Sequence, residues 1–184
     1  MNILIINGST HKDSLNLRIA QISKKAVEKA GHKVTLIHLG DEDIPMFRGY
    51  DMQYPNRVKE ILKLMMDADG LILHVPEYHH AVPAILKNLF EYIDDEETYI
   101  IRDRPVAMVS ASPGQFGGAR AQQSLYGLLR TLGLWLIPDE LFIPRAHKIF
   151  LNDGTITDKK IKARVEKLSL RLVRAVQLLK PLRS

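Results

Sequence analysis

Four small polar side chains near the N-terminus have the types and spacing needed to bind an anion. They follow an unbroken apolar run at residues 3–6, and they are Ser9, Thr10, Ser14 and Asn16. Such a run is typical of a strand buried on both faces. A strand that leads through a loop to a helix N-terminus presents free backbone N–H groups and the positive end of the helix dipole. The stretch is therefore either a phosphate-binding loop or an ordinary strand-to-helix turn with a serine N-cap.

The elements that position these residues alternate between strand and helix along the chain. Apolar stretches at residues 3–6, 33–39, 71–75, 106–110 and within 134–143 predict five strands, the last interrupted by Pro138. Apolar residues at spacings of three and four predict the helices between them. The first helix carries Leu15, Ile19, Ile22, Ala26 and Ala30 and ends at Gly31. Further helices are predicted around residues 58–66, 85–93 and 125–132 and from about 158, with an acidic turn at 94–97.

Strands separated by helices predict parallel βαβ units with right-handed crossovers, and therefore an α/β fold. We expect a five-stranded parallel sheet of order 2-1-3-4-5 in a three-layer sandwich, with residues 1–184 forming one domain. In that order, ligands bind beyond the carboxyl ends of strands 1 and 3, where the sheet reverses direction. The polar or glycine-rich stretches NGSTHKDSLN, PEYHHAVP and SASPGQFGG follow strands 1, 3 and 4. All three are thus predicted to meet at one edge of the sheet.

The composition excludes several classes of site. The chain contains no cysteine, so disulfides, thiolate nucleophiles and thiolate metal sites are ruled out. Any redox chemistry must therefore come from a bound cofactor. No apolar run approaches the roughly 20 residues that span a bilayer, and no signal-peptide pattern precedes the first strand. We expect a cytoplasmic protein with no membrane partner.

The net charge of +5 invites a nucleic-acid interpretation. Much of the excess lies in the last predicted helix, where lysines and arginines outnumber Asp158 and Glu166. The same helix carries an apolar stripe made of Ile161, Val165, Leu168, Leu172, Val176 and Leu179. Basic residues opposite such a stripe are typical of a solvated helix face. We therefore expect no nucleic-acid partner.

Other common sites find no support in the sequence. His79 and His80 are adjacent and lack the i, i+4 spacing of HExxH zinc sites. His11, His74 and Glu77 are the other candidate ligands, but His74 falls within a predicted strand, and we expect no metal. The G-x-S-x-G elbow, the G-x-G-x-x-G fingerprint and the Walker motif do not occur. Serine hydrolase, dinucleotide and nucleotide triphosphate sites of those types are therefore unsupported.

Five stretches of the chain resemble the NAD(P)H-dependent FMN reductase family, a flavodoxin-like family that includes azo-dye, quinone and chromate reductases. They are GSTHKDSLN at 8–16, IPMF at 44–47, PEYHHAVPAILKN at 76–88, VSASPGQFGGARAQ at 109–122 and FLNDGTITD at 150–158. PEYHHAVPAILKN is the most specific of them. Two positions depart from the family pattern: His11 stands where Arg is usual, and His79 stands where Asn is common.

The resemblance implies a set of FMN-binding residues. The phosphate would be held by hydroxyl, amide and backbone N–H donors of Ser9, His11, Ser14, Leu15 and Asn16. The edge of the isoalloxazine ring would be lined by Pro76, Glu77, Tyr78 and His79. Its pyrimidine side would lie near Ser112, Gly114, Gly117 and Gly118. Without the resemblance, the residues at 78–80 favour a surface turn before a helix, and Gly117 and Gly118 favour a helix-start loop.

The resemblance also implies an enzyme that takes hydride from NAD(P)H and reduces a flavin, quinone, azo compound or similar small acceptor by a ping-pong mechanism. Because the cofactor carries the chemistry, no catalytic side chain is expected. The family usually forms homodimers or homotetramers, and the irregular stretch 47–54 is the candidate subunit contact. Two alternatives remain open at this point: a non-enzymatic, flavodoxin-type electron carrier, and a related fold that has lost FMN. The preferred nucleotide and the physiological acceptor are left open.

Overall fold

The computed structural model describes residues 1–94, 100–151 and 153–180. The described residues form five strands, which are β1 (Asn2–Asn7), β2 (Lys33–His38), β3 (Gly70–His74), β4 (Pro105–Ala111) and β5 (Trp135–Ile143). They also form five α-helices, which are α1 (Leu15–Lys29), α2 (Asn56–Asp67), α3 (Ala84–Glu91), α4 (Ala119–Thr131) and α5 (Lys159–Leu179). Short 3-10 turns span Leu39–Asp41 and Ala146–Lys148. Residues 95–97 of the predicted acidic turn lie outside the described part of the chain.

The strands form one sheet of order β2-β1-β3-β4-β5 with every pair parallel. The predicted strand order is therefore confirmed. Helices cover both faces of the sheet, which makes the three layers of a flavodoxin-like sandwich. On one face the core includes Leu4, Ile6, Leu71, Leu73, Val106 and Met108 with the apolar sides of α2, α3 and α4. On the other face it includes Ile3, Ile5, Ile72, Ala107 and Val109 with α1 and α5.

The strands are apolar on both faces because each face is covered by helices, as parallel sheets require. Ile3 and Ile5 are buried in one layer while Leu4 and Ile6 are buried in the other. Each large aliphatic side chain removed from water in this way contributes roughly 1.5–3 kcal/mol. The continuous apolar run at the start of the chain thus has a direct structural cause.

Two helices end as their glycines predict. Gly31 has φ +83° and Gly133 has φ +70°, both in the left-handed region that glycine adopts without steric cost. After α4, Gly133 N donates to Arg130 O at 2.9 Å and Leu134 N donates to Leu129 O at 3.0 Å. This pair of hydrogen bonds is the Schellman motif, and the same pattern closes α1.

The interruption predicted at Pro138 is a bulge in β5. Val106 pairs with Leu136 but Met108 pairs with Glu140, so Ala107 alone lies opposite three residues of β5. Proline has no N–H to donate to the sheet, and β5 is an edge strand, where such a residue is tolerated.

The irregular stretch at 44–54 is packed against α3. Asn88 accepts from Phe47 N at 2.9 Å and donates to Pro45 O at 2.7 Å. The Phe47 ring makes edge contacts with the rings of Tyr50, Tyr54 and Tyr92.

Within the described residues, no helix is long and apolar enough to cross a membrane.

Candidate functional site

A cleft of about 350 Å³ opens at the carboxyl edge of the sheet, between the loops that follow β1, β3 and β4. It is lined by Ser9, His11, Asp13, Ser14, Leu15, Asn16, Pro76, Glu77, Tyr78, Ala111, Ser112 and Pro113. Nine of the thirteen predicted site residues are in this set. Among the described residues, the other four, His79, Gly114, Gly117 and Gly118, are not part of its lining. The cleft lies at the reversal point of the strand order, where open α/β sheets bind ligands.

The loop after β1 leads directly into the N-terminus of α1. Ser14 is the N-cap, and its hydroxyl accepts from Leu17 N at 3.3 Å. The hydrogen bonds of the helix backbone begin at Arg18 N, which donates to Ser14 O at 3.1 Å. The N–H groups of Leu15 and Asn16 therefore have no partner within the helix. Two free backbone donors at the positive end of the helix dipole suit a phosphate group.

Tyr78 closes over this loop from the end of β3. Its hydroxyl lies 3.0 Å from Ser9 Oγ and accepts from Thr10 N at 3.4 Å. Ser9 is 2% exposed, and its Oγ also accepts from His11 N at 3.2 Å. The His11 ring meets the Tyr78 ring edge-on, with 6.4 Å between centroids. These contacts join the loops after β1 and β3 into a single wall.

Asn16 uses its side chain within the protein. Its Nδ2 donates to Ala111 O at 2.8 Å, and its Oδ1 accepts from Ala111 N at 2.9 Å. Both groups of this amide are thus bound to the backbone at the end of β4. The pairing uses only the side chain of Asn16, so its backbone N–H remains available to a ligand.

The loop after β3 turns at two histidines with left-handed backbone. His79 has φ +49° and His80 has φ +66°. Tyr78 N donates to Ala81 O at 3.2 Å, and Ala81 N donates to Tyr78 O at 3.0 Å. Positive φ at both central residues is the pattern of a two-residue hairpin turn of type I′. His79 is exposed at the tip of this turn, so its side chain lies outside the lining of the cleft.

Glu77 is the acidic group of the cleft wall, and it is bound to Arg120 at the start of α4. Glu77 Oε2 accepts from Arg120 N at 3.1 Å, and Oε1 lies 3.5 Å from Arg120 Nη1. The same Nη1 lies 2.6 Å from His80 Nδ1. His80 Nδ1 also lies 3.4 Å from Glu77 Oε1, so Glu77, His80 and Arg120 form one polar cluster. The other acid of the cleft, Asp13, forms an ion pair with Arg18 at 2.5 Å.

The two adjacent glycines of the loop after β4 are required by packing inside the protein. A Cβ at Gly117, where φ is +61°, would lie 2.7 Å from Ile143 N. A Cβ at Gly118, where φ is +89°, would lie 2.5 Å from Ser110 Cβ. By contrast, a Cβ at Gly114 would meet only Ser112 Oγ, at 3.6 Å. Gly117 and Gly118 are therefore needed where the loop passes close to the chain's own backbone and side chains.

A row of buried polar residues lies beneath the cleft. Asn7 pairs with His38 of β2 and with His74 of β3, so the three side chains lie on one face of the sheet. Asn7 Nδ2 donates to His38 Nδ1 at 2.8 Å, and His74 Nε2 lies 3.2 Å from Ser23 Oγ on α1. Burial lowers the pKa of His74 to about 3, so its ring is neutral at ordinary pH.

A comparison with known protein families shows which family the chain belongs to. Residues 1–148 match the family model described as NADPH-dependent FMN reductase. The chain belongs to this family. It is therefore an oxidoreductase that uses FMN with NAD(P)H as its co-substrate, and the resemblance seen in the five sequence stretches is confirmed.

Individual FMN reductase relatives agree in length as well as in sequence. The NADH:(hydroxy)cinnamate reductase subunit CrdA of Vibrio ruber is 31% identical over 172 residues, which cover 91% of this chain and 83% of that protein. The NADPH azoreductase of a Bacillus species is 28% identical, with 85% of this chain and 82% of that protein covered. Among solved structures, the NAD(P)H:acceptor oxidoreductase FerB of Paracoccus denitrificans superposes with a TM-score of 0.79 at 23% identity. That match covers 97% of this chain and 98% of FerB, and it shows a shared fold.

The chemistry of the cleft fits the cofactor of an FMN reductase. The free amides of Leu15 and Asn16, with the hydroxyl of Ser14, suit a phosphate. Pro76, Tyr78 and Pro113 supply an apolar wall of the kind that flanks planar ligands. The volume of about 350 Å³ also lies in the range of small-molecule sites.

Four residues in or beside the cleft were not predicted as site residues. Asp13, Ala111 and Pro113 line the cleft, and Arg120 holds Glu77. All four lie inside stretches that carry the family resemblance, at 8–16 and 109–122. Their position within these stretches is the one sequence feature that could have predicted them, because their residue types alone do not indicate a ligand-binding role. His74, one of the candidate metal ligands in the sequence, lies beneath α1 with its Nε2 3.2 Å from Ser23 Oγ. No group of three or more histidines and acids that could hold a metal occurs in the described part of the chain.

Proposed function

We propose that this cleft binds FMN with its phosphate at the N-terminus of α1 and its ring system against the wall made by the loops after β3 and β4. The observation that carries the proposal is the pair of free backbone N–H groups at Leu15 and Asn16, beside the Ser14 hydroxyl. His11, which lines the same cleft, would add an imidazole donor to the phosphate. Ser9 would act partly by holding Tyr78 in place, since its hydroxyl contacts the phenol.

On the ring side, we propose that Pro76, Glu77, Tyr78 and Ser112 line the flavin. Pro76 and Tyr78 would provide apolar surface, while the backbone of Glu77 and the Ser112 hydroxyl would reach the polar ring edge, since the backbone groups of Tyr78 and Ser112 are hydrogen-bonded within the protein. Gly114, Gly117 and Gly118 have no side chains with which to contact the ring, so they would act by setting the path of the loop after β4. His79 would contribute through the turn that it completes, because its side chain lies at the exposed tip.

Bound FMN would supply two-electron chemistry, accepting hydride equivalents from NAD(P)H and delivering electrons to a second molecule. The residues of this chain would bind and orient both partners and keep water from one side of the site. Because the cleft wall covers one side of a planar ligand, the nucleotide and the acceptor would use the same open side in turn. This arrangement favours a ping-pong mechanism.

Small conjugated molecules are the acceptors that we propose. Relatives of similar length are named for azo compounds and for quinones, including a 2-hydroxy-1,4-benzoquinone reductase from a Burkholderia species that is 26% identical over 162 residues. A planar acceptor would stack in the place that the nicotinamide vacates. A free flavin would fit the same description.

We also propose that residues 1–184 act as one domain in the cytoplasm and assemble as a homodimer or homotetramer through the stretch 47–54. The support is exposed apolar surface on and beside that stretch: Tyr50 is 63% exposed, and Met46, next to the stretch, is 66% exposed. Light scattering on the parent and on Tyr50→Glu would test the assembly. A monomeric parent protein would overturn this part of the proposal.

The decisive experiment for the activity is anaerobic mixing of the FMN-loaded protein with excess NADH or NADPH. Bleaching of the flavin absorbance at a rate that matches turnover is the expected result, together with parallel double-reciprocal lines in steady state. Release of FMN rather than FAD by acid would identify the cofactor of the purified protein. If neither nucleotide bleaches the flavin while a separate reductase protein does, the chain is an electron carrier and the proposal fails.

A further inference from the structure

Phe116 and Arg120 form an exposed cation–π pair beside the cleft. The Arg120 guanidinium carbon lies 4.1 Å from the centroid of the Phe116 ring. Phe116 is 58% exposed, so one face of its ring is open to a ligand. Arg120 reaches the cleft through Glu77, which is part of the cleft lining. The pair therefore lies at the rim of the site, on the side formed by the loops after β3 and β4.

The Arg120 guanidinium is fixed by contacts at Nη1, while its other edge is available to a ligand. Its Nη1 lies 2.6 Å from His80 Nδ1 and 3.5 Å from Glu77 Oε1. Its Nε and Nη2 have no hydrogen-bond partner among the described residues, and the side chain is 38% exposed. A fixed guanidinium with a free edge is suited to paired hydrogen bonds with a carboxylate or sulfonate.

The charge of the cluster limits what it can bind. Arg120 and Glu77 have opposite charges, so their ion pair has no net charge. The Arg120 side chain is 38% exposed and that of Glu77 is 11% exposed, so the positive part of the pair faces outward. Such a cluster can attract one negative charge, but Glu77 makes it a poor site for the two charges of a pyrophosphate. This favours an acceptor with a single anionic group over the dinucleotide.

We propose that Phe116 and Arg120 determine acceptor specificity by binding planar aromatic acceptors that carry one carboxylate or sulfonate. The ring of the acceptor packs on Phe116, and its anionic group pairs with the free edge of Arg120. The inference rests on the proposed function, because it names the class of acceptor that the same site reduces. Neither residue belongs to the proposed FMN contacts.

A binding measurement tests the inference without electron transfer. The oxidised, FMN-loaded protein is titrated with 2-naphthalenesulfonate and with neutral 2-naphthalenemethanol, neither of which accepts electrons from the flavin. Arg120→Gln should weaken sulfonate binding by about tenfold and leave the alcohol unchanged. Phe116→Leu should weaken both ligands by about threefold, since each loses an aromatic contact. Rising salt should weaken only the sulfonate.

Arg130→Gln is the matched control. It makes the same charge change on the same exposed helix, ten residues and roughly 15 Å further along α4. Sulfonate affinity should remain that of the parent. Equal losses in Arg120→Gln and Arg130→Gln would mean that only the overall charge matters, and would overturn the proposal. The FMN content and circular dichroism of each variant establish that it is folded.

Separate half-reactions locate the effect. The reduced protein is mixed with 1,2-naphthoquinone-4-sulfonate or with neutral 1,2-naphthoquinone, and the oxidised protein is mixed with NADH or NADPH. The ratio of sulfonate to neutral rate constants should fall about tenfold in Arg120→Gln, while the nucleotide step keeps its rate. A loss confined to the nucleotide step would overturn the proposal by assigning Arg120 to the dinucleotide. If the parent is not reduced by any nucleotide, the proposed function fails, whereas the binding titration still tests Phe116 and Arg120.

Discussion

Asn16 and Ala111 are joined by two hydrogen bonds across 95 residues of sequence, with Nδ2 donating to Ala111 O at 2.8 Å and Ala111 N donating to Oδ1 at 2.9 Å. The pairing ties the first turn of α1 to the end of β4, and both residues are buried. It makes Asn16 a structural clamp between two walls of the cleft. A buried amide in this role stabilises the protein whether or not a ligand is present.

The clamp predicts a loss of stability in the cofactor-free protein. Asn16→Ala leaves the N–H and C=O groups of Ala111 without their partner, which should lower the free energy of unfolding by about 2–4 kcal/mol. Urea denaturation of the FMN-free protein measures this. Asn56→Ala, at the exposed start of α2, is the control and should change stability by less than about 0.5 kcal/mol. Unchanged stability of Asn16→Ala would contradict the clamp.

The Ser14 hydroxyl predicts a difference between FMN and riboflavin. Ser14→Gly removes the hydroxyl but costs the helix only a few tenths of a kcal/mol, because glycine is a tolerated N-cap. FMN binding should weaken by about 1.5–3 kcal/mol through loss of a hydrogen bond to a charged group. Riboflavin has no phosphate, so its affinity should stay the same. Equal losses for both ligands, measured by fluorescence titration, would place the phosphate elsewhere.

His11 predicts the effect of an arginine at its position. A guanidinium is always charged and offers paired N–H donors to a phosphate, which an imidazole does not. His11→Arg should therefore bind FMN more tightly than the parent protein does at alkaline pH, and fluorescence titration measures this. Riboflavin, which has no phosphate, is the control ligand and should bind both proteins alike. Equal FMN affinities of parent and variant would show that His11 does not contact the phosphate.

The turn at His79 predicts which side chains that position accepts. Its φ of +49° is in the left-handed region, where asparagine is tolerated and a β-branched residue is strained. His79→Asn should keep or slightly raise the stability of the protein, while His79→Val should lower it by about 1–2 kcal/mol. Urea unfolding distinguishes them. Equal stabilities would mean that the turn has another conformation in solution.

His74 predicts a loss of stability in acid. Its pKa is lowered to about 3 by burial, while an unfolded imidazole titrates near 6.5. Below pH 6.5 the unfolded chain binds a proton that the folded protein excludes, so stability falls as pH decreases towards 3. For this residue the loss between pH 7 and pH 5 should be about 2 kcal/mol. His74→Leu should show a correspondingly flatter dependence, and an unchanged slope would show that His74 is protonated in the folded protein.

Residue patterns alone determined the architecture. The apolar runs at 3–6 and 71–75 read as strands because a sheet covered on both faces excludes water from every side chain. Gly31 and Gly133 marked two helix ends because glycine alone enters the left-handed region freely. Polar loops after strands 1, 3 and 4 predicted the edge at which the cleft lies, since parallel strands bring their carboxyl ends together.

The tertiary structure decided which polar groups remain available to a ligand. Asn16, predicted as a phosphate ligand, is paired with Ala111, and Gly117 and Gly118 are packed against Ile143 and Ser110. Arg120 lies 43 residues from Glu77 in sequence, and only the crossing of α4 over the loop after β3 brings them together. Local sequence patterns indicate which hydrogen bonds and ion pairs each residue could form. Long-range contacts select which of those hydrogen bonds and ion pairs are made within the protein, and hence which groups are left for the cofactor and its acceptor.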